Sequence, residues 1–343
     1  MNETVTIHID GQAVTVPRGS TVLDAARKLG IAIPAMCFLE GHTAEPSCMV
    51  CQVKVDGEDR LRPSCATAAV DGMRIESETE EVHAARRTAL ELLLGDHLGD
   101  CVAPCSVACP VDLNIPLMIR RIRGGQPALA GAMARLCRDC GGRCEKTCRR
   151  AARDRPVAIR NLIRYAADIG EEPPPDDATT GGFSTHVGRV SPEEIDRYMV
   201  EANSIQRVKP ADGAAYTDEE ARREASRCMR CDCRAADDCK LREYGALYKA
   251  HTRKYKSSRR AFSQNRHPQG LIYEPGKCIV CGLCVQIARE AAEPLGLTFV
   301  GRGFNVRVGV PFDRPLADGL RKVAGACAEA CPTGALVLEE DEA

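Results

Sequence analysis

The chain has 343 residues, a formal net charge of −1, 44% hydrophobic but only 4% aromatic residues, and no tryptophan. Near-neutral charge gives no electrostatic case for nucleic acid or an anionic membrane surface, no apolar run approaches a membrane span, and Met-Asn-Glu-Thr-Val-Thr-Ile has neither the basic nor the apolar part of a signal peptide, so a cytoplasmic setting is expected. In that reducing compartment the twenty cysteines read as metal ligands rather than disulfides, and bound metal is expected to help stabilise thin cores.

An α+β multidomain chain is expected, divided as 1–80, 81–170, 171–245 and 246–343. At the start, Val5-Thr6-Ile7-His8-Ile9 alternates as a strand, Asp10-Gly11 is a hairpin turn and residues 13–16 return. Ser20 or Thr21 caps a helix that runs through Lys28 and closes at Gly30, and Gln52–Val55 before Asp56-Gly57 is another strand and turn. Residues 81–98 read as an amphipathic helix with Leu90, Leu93 and Leu94 on one face, and 109–169 as helices separated by cysteine loops. Pro173-Pro174-Pro175 and Gly181-Gly182 mark 171–190 as a linker or exposed loop. Further helices start at Pro192 and span 218–227, and the basic stretch 253–260 reads as a solvated or docking surface.

Nineteen cysteines sort into five groups, and thiolates at such spacings are how a chain holds iron–sulfur clusters. The first is Cys37-x10-Cys48-x2-Cys51-x13-Cys65, a tight pair with flanking thiolates, which suits a 2Fe–2S cluster; four thiolates also suit zinc. Residues 19–37, from Gly19-Ser20-Thr21-Val22-Leu23-Asp24 to Pro34-Ala35-Met36-Cys37, resemble the 2Fe–2S domain of complex I-type and hydrogenase-type iron–sulfur subunits, which implies a β-grasp ferredoxin domain.

The second and third groups, Cys101-x3-Cys105-x3-Cys109-Pro110 and Cys140-x3-Cys144-x3-Cys148-Arg149-Arg150, are similar to the helical N-terminal domain of the glutamate synthase small subunit, also carried by dihydropyrimidine dehydrogenase. The similarity extends through Val111-Asp112-Leu113-Asn114-Ile115-Pro116 and Pro156-Val157-Ala158-Ile159-Arg160. It implies two 4Fe–4S clusters that share ligands across the groups: Cys101, Cys105 and Cys148 for one, Cys109, Cys140 and Cys144 for the other. The family's first cysteine is absent, and His97 stands four residues before Cys101, where an imidazole can replace a thiolate; a capping or surface histidine is its other reading. The family's Glu or Gln falls at Ile163, which cannot ligate, and Cys137 is the natural substitute.

The fourth group, Cys228-x2-Cys231-x-Cys233-x5-Cys239, can enclose one 4Fe–4S cluster or one zinc ion. The fifth, Cys278-Ile279-Val280-Cys281-Gly282-Leu283-Cys284 with Cys331-Pro332 later, is the bacterial ferredoxin run, in which the fourth cysteine of each run ligates the other cluster. The fourth position of its first run is Ala288, and the first two of its second run fall at Arg321 and Ala324, so one cluster is lost and the other keeps Cys278, Cys281, Cys284 and Cys331. Cys327 is the orphan of the lost site, and Gly301-Arg302-Gly303-Phe304 resembles an insert in complex I-like large subunits.

The ligand count comes to one 2Fe–2S and about four 4Fe–4S clusters, served by nineteen cysteines and His97. No dinucleotide fingerprint, P-loop, nucleophile elbow or His-Glu-x-x-His is present, so neither flavin nor nicotinamide is expected on this chain, and no catalytic residue of its own. The expectation is an iron–sulfur electron-transfer subunit of a soluble multi-subunit oxidoreductase; the resemblances imply a flavin-bearing NAD(P)H-binding partner and a second redox subunit. A zinc-bound scaffold or regulatory protein, and a self-contained flavin-dependent reductase, are the alternatives.

Overall fold

The computed structural model describes residues 3–138, 140–169, 173–180, 182–200, 202–211, 215–256 and 260–339. The chain forms two compact units, one from Met1–His97, Asp237–Arg259 and Asn265–Glu339, the other from Leu98–Ala236 with Arg260–Gln264. No helix among the described residues is long and apolar enough to cross a membrane.

The first unit begins with the expected hairpin. Strands β1 (Thr4–Ile9) and β2 (Gln12–Pro17) pair antiparallel, from Thr4 opposite Pro17 to Ile9 opposite Gln12. Asp10 (φ 48°) and Gly11 (φ 81°) both adopt the left-handed backbone that a tight two-residue turn requires. Helix α1 (Val22–Lys28) starts at a capping box between Thr21 and Asp24. Strands β3 (Gln52–Val55), β4 (Arg62–Pro63) and β5 (Arg74–Glu76) complete a sheet in the order β2-β1-β5-β3-β4, with β5 parallel to β1. Ile7, Ile9, Val14, Val16, Leu23, Val53 and Ile75 fill the core between sheet and helix, and Cys51 and Cys65 belong to that core. Helix α2 (Glu80–Asp96) begins one residue earlier than the apolar periodicity indicates, because the Thr79 hydroxyl accepts from Val82 N–H at 3.2 Å. It ends at His97, whose extended backbone leaves Leu98 outside the helix.

The second unit is helical. It comprises α3 (Pro104–Val107), α4 (Ile115–Arg123), α5 (Pro127–Ala134), α6 (Arg143–Lys146), α7 (Ile159–Ala167), α8 (Pro192–Tyr198) and α9 (Asp218–Ala225). Met118, Ile119, Ile122, Met133, Ile159, Leu162 and Ala221 form one core, against which Cys105, Cys109, Cys137, Cys148 and Cys228 pack. Gly131 lets α5 approach the end of α7: a Cβ there would lie 2.1 Å from the Ile169 carbonyl oxygen. The described part of 171–190 holds one 3-10 turn, Asp176–Ala178, and a bridge from Thr179 to Leu113, and it is not simply exposed: Ala178, Thr185 and Val187 are buried.

The chain then returns to the first unit with α10 (Lys240–Leu247), β6 (Asn265–Arg266), β7 (Leu271–Tyr273), α11 (Leu283–Glu290), β8 (Thr298–Val300), β9 (Arg307–Gly309), α12 (Leu316–Gly319), α13 (Ala324–Glu329) and β10 (Leu336–Leu338). Strands β10, β7 and β6 form an antiparallel sheet, and β8 pairs with β9. The basic stretch 253–260 is exposed at Lys254, Tyr255 and Lys256; residues 257–259 lie outside the described residues.

Candidate metal centres

In the first unit, Cys37 and Cys48 place their sulfurs 3.3 Å apart, and Cys51 and Cys65 place theirs 3.4 Å apart. Four buried thiols thus fall into two pairs, the arrangement that two irons taking two thiolates each require. Thiol donation from Cys48 and Cys65 holds Cys37 far below the usual thiol range, and giving that bond pushes Cys48 up. Met49, at φ 55°, turns the Cys48-Met49-Val50-Cys51 loop so that the Val50 N–H faces the Cys48 sulfur. Behind the loop, the fully buried Arg86 donates to the Gln52 carbonyl at 3.1 and 2.9 Å and to the Tyr248 hydroxyl at 2.8 Å.

Cys278, Cys281, Cys284 and Cys331 converge in the same unit. Burial pushes up the first three, Cys281 to about 12, and Cys331 is among the charges that oppose their ionisation. Val280, at φ 55°, repeats the left-handed turn and donates its N–H to Cys278 sulfur at 3.3 Å. Thr333 ties the Cys331 loop to the Cys278 loop through a 3.0 Å bond to the Lys277 carbonyl. Where a second cluster of the ferredoxin pattern would lie, Ala288, Ala324 and Cys327 join Leu297 and Leu320 in one apolar core, and Arg321 is exposed. Cys327 is 0% exposed, and its S–H reaches only the Cys284 carbonyl, at 3.7 Å.

These two centres border one another. Ser47 Oγ lies 3.5 Å from the Cys281 carbonyl oxygen, and Cys48, Met49, Cys278 and Val280 line one cavity of about 650 Å³ against α2. Cys37 is among the charges that bear on Cys281.

His97 also belongs to this unit. It is buried, its Nδ1 has no hydrogen-bond partner among the described residues, and the Lys277 carbonyl accepts from its ring. Burial lowers its pKa to about 4, so the imidazole is neutral. A neutral ring with one nitrogen fixed by a carbonyl and the other bare is the form in which histidine ligates. The capping role exists as well, through a backbone N–H bond to Leu94 of 3.3 Å, and uses no ring atom. Cys239 stands at the N-cap of α10, where the next residue, Lys240, donates to the Pro332 carbonyl at 3.0 Å.

In the helical unit, Cys137, Cys140 and Cys144 line a cavity of about 340 Å³ with Arg135, Arg160 and Ile163. Burial raises Cys137, and Cys109 and Cys140 are the neighbouring charges that raise it further. Gly141 (φ 69°) and Gly142 (φ 71°) make the reversal that separates Cys140 from Cys144. Cys109 and Cys140 thus lie near Cys137, beside a cavity that Cys144 also lines.

The remaining thiols of this unit are Cys101, Cys105, Cys148, Cys228, Cys231 and Cys233. The charges that bear most on the half-buried Cys105 are Cys148, Cys228, Cys231 and Asp232. Cys101 instead adjoins Thr185: its N–H donates to the Thr185 carbonyl at 3.3 Å, and the Thr185 N–H donates to its sulfur at 3.4 Å. The Cys233 N–H donates to the Cys101 carbonyl at 3.4 Å. His97 and Cys239, which the spacing groups with Cys101 and with Cys233, belong to the other unit. Thr185 went unnoticed in the sequence because nothing distinguishes one hydroxyl in an irregular stretch. Among the described residues no three His, Cys, Asp or Glu side chains close around a single ion; thiolates of a four-iron cluster stand wider, because the iron–sulfide core lies between them.

Residues 2–80 match the 2Fe–2S iron–sulfur cluster binding domain. Residues 98–173 match the 4Fe–4S cluster domain II of dihydropyrimidine dehydrogenase. The chain is thus of mixed α/β multidomain build with a 2Fe–2S and a 4Fe–4S domain, similar to complex I-type and hydrogenase-type iron–sulfur subunits. Similar proteins include the NADP-reducing hydrogenase subunit HndD of Solidesulfovibrio fructosivorans, 48% identical over 103 residues, which are 29% of this chain and 18% of that protein. The NADPH-Fe(3+) oxidoreductase subunit alpha of Geobacter sulfurreducens is 38% identical over 110 residues, 32% of this chain and 13% of its own length. The NADH-ubiquinone oxidoreductase 75 kDa subunit of Reclinomonas americana is 37% identical over 97 residues, 28% of this chain and 14% of its own length. The chain therefore spans less than a fifth of each relative. In fold, it is similar to a chain of an NAD+-reducing [NiFe]-hydrogenase crystal structure, with a TM-score of 0.54 at 18% identity, over 99% of this chain and 89% of that one.

Proposed function

We propose that this chain is an iron–sulfur electron-transfer subunit of a cytoplasmic multi-subunit NAD(P)H-linked oxidoreductase, relaying electrons between a flavin-bearing partner and a second redox subunit. The observation that carries this reading is the juxtaposition of the Cys48 and Cys278 loops at one cavity, since a relay needs its carriers as near neighbours. The relatives' names share a nicotinamide nucleotide and differ in the other substrate, which supports the NAD(P)H-linked side of the reading. When bound, the clusters supply one-electron carriers; the protein's part is to space them and tune them through ligand identity, N–H···S bonds and burial.

In this reading Cys37, Cys48, Cys51 and Cys65 hold a 2Fe–2S cluster in a β-grasp domain over 1–80. Cys109, Cys137, Cys140 and Cys144 hold a 4Fe–4S cluster in the glutamate-synthase-type domain over 81–170, and Cys278, Cys281, Cys284 and Cys331 hold another in the ferredoxin-like domain over 246–343. His97 and seven further cysteines, with Cys228, Cys231, Cys233 and Cys239 of the 171–245 segment among them, serve two more clusters. Full anaerobic reconstitution should give about 18 irons per chain, with a broad brown absorption that dithionite bleaches and NADH alone does not. A colourless protein with stoichiometric zinc, or bleaching by NADH without a partner, would end this reading.

A further inference from the structure

Four thiols of the helical unit come from three separate stretches of chain. Cys105 lies in α3, Cys148 follows α6, and Cys228 and Cys231 occupy the loop after α9. Hydrogen bonds beside each thiol tie these stretches to one another or to the core. Thr147 Oγ1 donates to the Pro104 carbonyl at 3.2 Å, drawing the Cys148 loop onto the Cys105 turn. Arg150 Nη1 donates to the Arg227 carbonyl at 3.0 Å, drawing the same loop onto Cys228. Arg120, on α4, holds Asp232 at 2.9 Å, next to Cys231. Arg150 and Arg227 are 1% and 0% exposed, so the junction is fixed inside the unit.

The Cys228–Cys231 loop has the local geometry of the ferredoxin loop. Arg230 (φ 45°) takes the left-handed position that Val280 (φ 55°) takes between Cys278 and Cys281. Its N–H bonds the Cys228 sulfur, as the Val280 N–H bonds Cys278. Side chains rarely adopt that backbone, and a loop that adopts it presents N–H groups toward sulfur, which stabilises the anionic charge of a bound cluster. Arg149, against Asp100 and beside Cys231, adds a positive charge that offsets thiolate charge.

We propose that Cys105, Cys148, Cys228 and Cys231 together hold one 4Fe–4S cluster. The proposal rests on reading the chain as an iron–sulfur relay, and it departs from the sequence grouping: Cys101 is left outside this set, and Cys228 and Cys231 do not share a cluster with Cys233. Each cysteine of the Cys101-x3-Cys105-x3-Cys109 run then goes to a different site.

The test is whether removed ligands count once or twice. In the anaerobically reconstituted full chain, C105A and C228A should each lose about 4 of about 18 irons and abolish the same EPR signal. The double variant C105A/C228A should lose no more than either single variant. Loss of about 8 irons by that double variant would overturn the proposal, because the two residues would then serve different clusters. C101A/C105A should lose about 8, and a loss of only about 4 would restore the sequence grouping and equally overturn it. If alanine variants do not fold, C105S and C228S, which keep an oxygen ligand, should shift one and the same EPR signal; shifts in two distinct signals would refute it. Failure of the relay reading itself would be recognised separately, as wild-type chain that takes up no iron.

Discussion

Cys327 and Cys331 lie four residues apart, yet their removal should have opposite consequences. Cys327 is 0% exposed within the core formed with Ala288, Leu297, Leu320 and Ala324, and its S–H points to the Cys284 carbonyl. Cys327→Ala deletes a single sulfur, about the volume of a methyl group, so its cost is the lost burial plus a small residual void, roughly 1–1.5 kcal/mol. Cys327→Ser keeps a donor for the Cys284 carbonyl but buries a hydroxyl, for a cost of about 1 kcal/mol or slightly more. Both variants should keep about 18 irons. Cys331→Ala removes a ligand, so about 4 irons should go, and the unfolding of the C-terminal region should shift by much more than either Cys327 variant. Iron content and denaturant midpoints of the three proteins check this. If Cys327→Ala lost a cluster and Cys331→Ala did not, the register of the ferredoxin pattern would be wrong and no ancestral site could be said to have closed.

Three further outcomes are expected. His97→Cys should keep its cluster but lower one reduction potential, because a neutral ligand becomes anionic, while His97→Ala should leave that site labile; potentiometric titration followed by EPR reads both, and unchanged potentials would make the histidine purely a cap. Arg86→Leu strips the Gln52 carbonyl and the Tyr248 hydroxyl of a buried partner and should cost about 3–5 kcal/mol, read by denaturant unfolding, with a more labile 2Fe–2S signal. Asp154 accepts from Arg150 at 2.8 and 2.9 Å and from Arg227 at 3.1 Å, and chiefly the Arg150 bond holds its carboxyl well below the usual range. Its stabilisation is therefore complete above the unfolded value of about 4 and is lost as pH falls below it. The carboxylate is about a third exposed and partly screened by solvent, so Asp154→Asn should destabilise at pH 7 by about 1–2 kcal/mol and flatten the acid limb of stability against pH.

What the sequence revealed was local. The Asp10-Gly11 turn, the Thr21 cap and the Gln52–Val55 strand are each decided by a handful of adjacent residues, and all three stand where the spacing puts them. The sequence offers the 2Fe–2S and C-terminal sets because a Cys-x2-Cys loop marks each. It does not offer the proposed grouping of Cys105 with Cys228, because that rests on Arg150 and Arg120 reaching across the unit. No periodicity announces such bonds. Likewise Thr185 docks on Cys101 by polar contact alone, in a stretch whose prolines and glycines pointed only to a linker. Ala288 and Ala324 disclosed that a site was missing, but not that leucines had sealed it.

In the proposed relay that sealed core would limit how many carriers the C-terminal domain can hold. A ferredoxin with both sites filled carries two clusters. Here the space of the second is taken by Ala288, Leu297, Leu320, Ala324 and Cys327, so the domain would hold one carrier, beside the Ser47–Cys281 contact. Restoring Cys at positions 288, 321 and 324 would supply donors but no room, so a second carrier could be housed only by hollowing out the leucines as well.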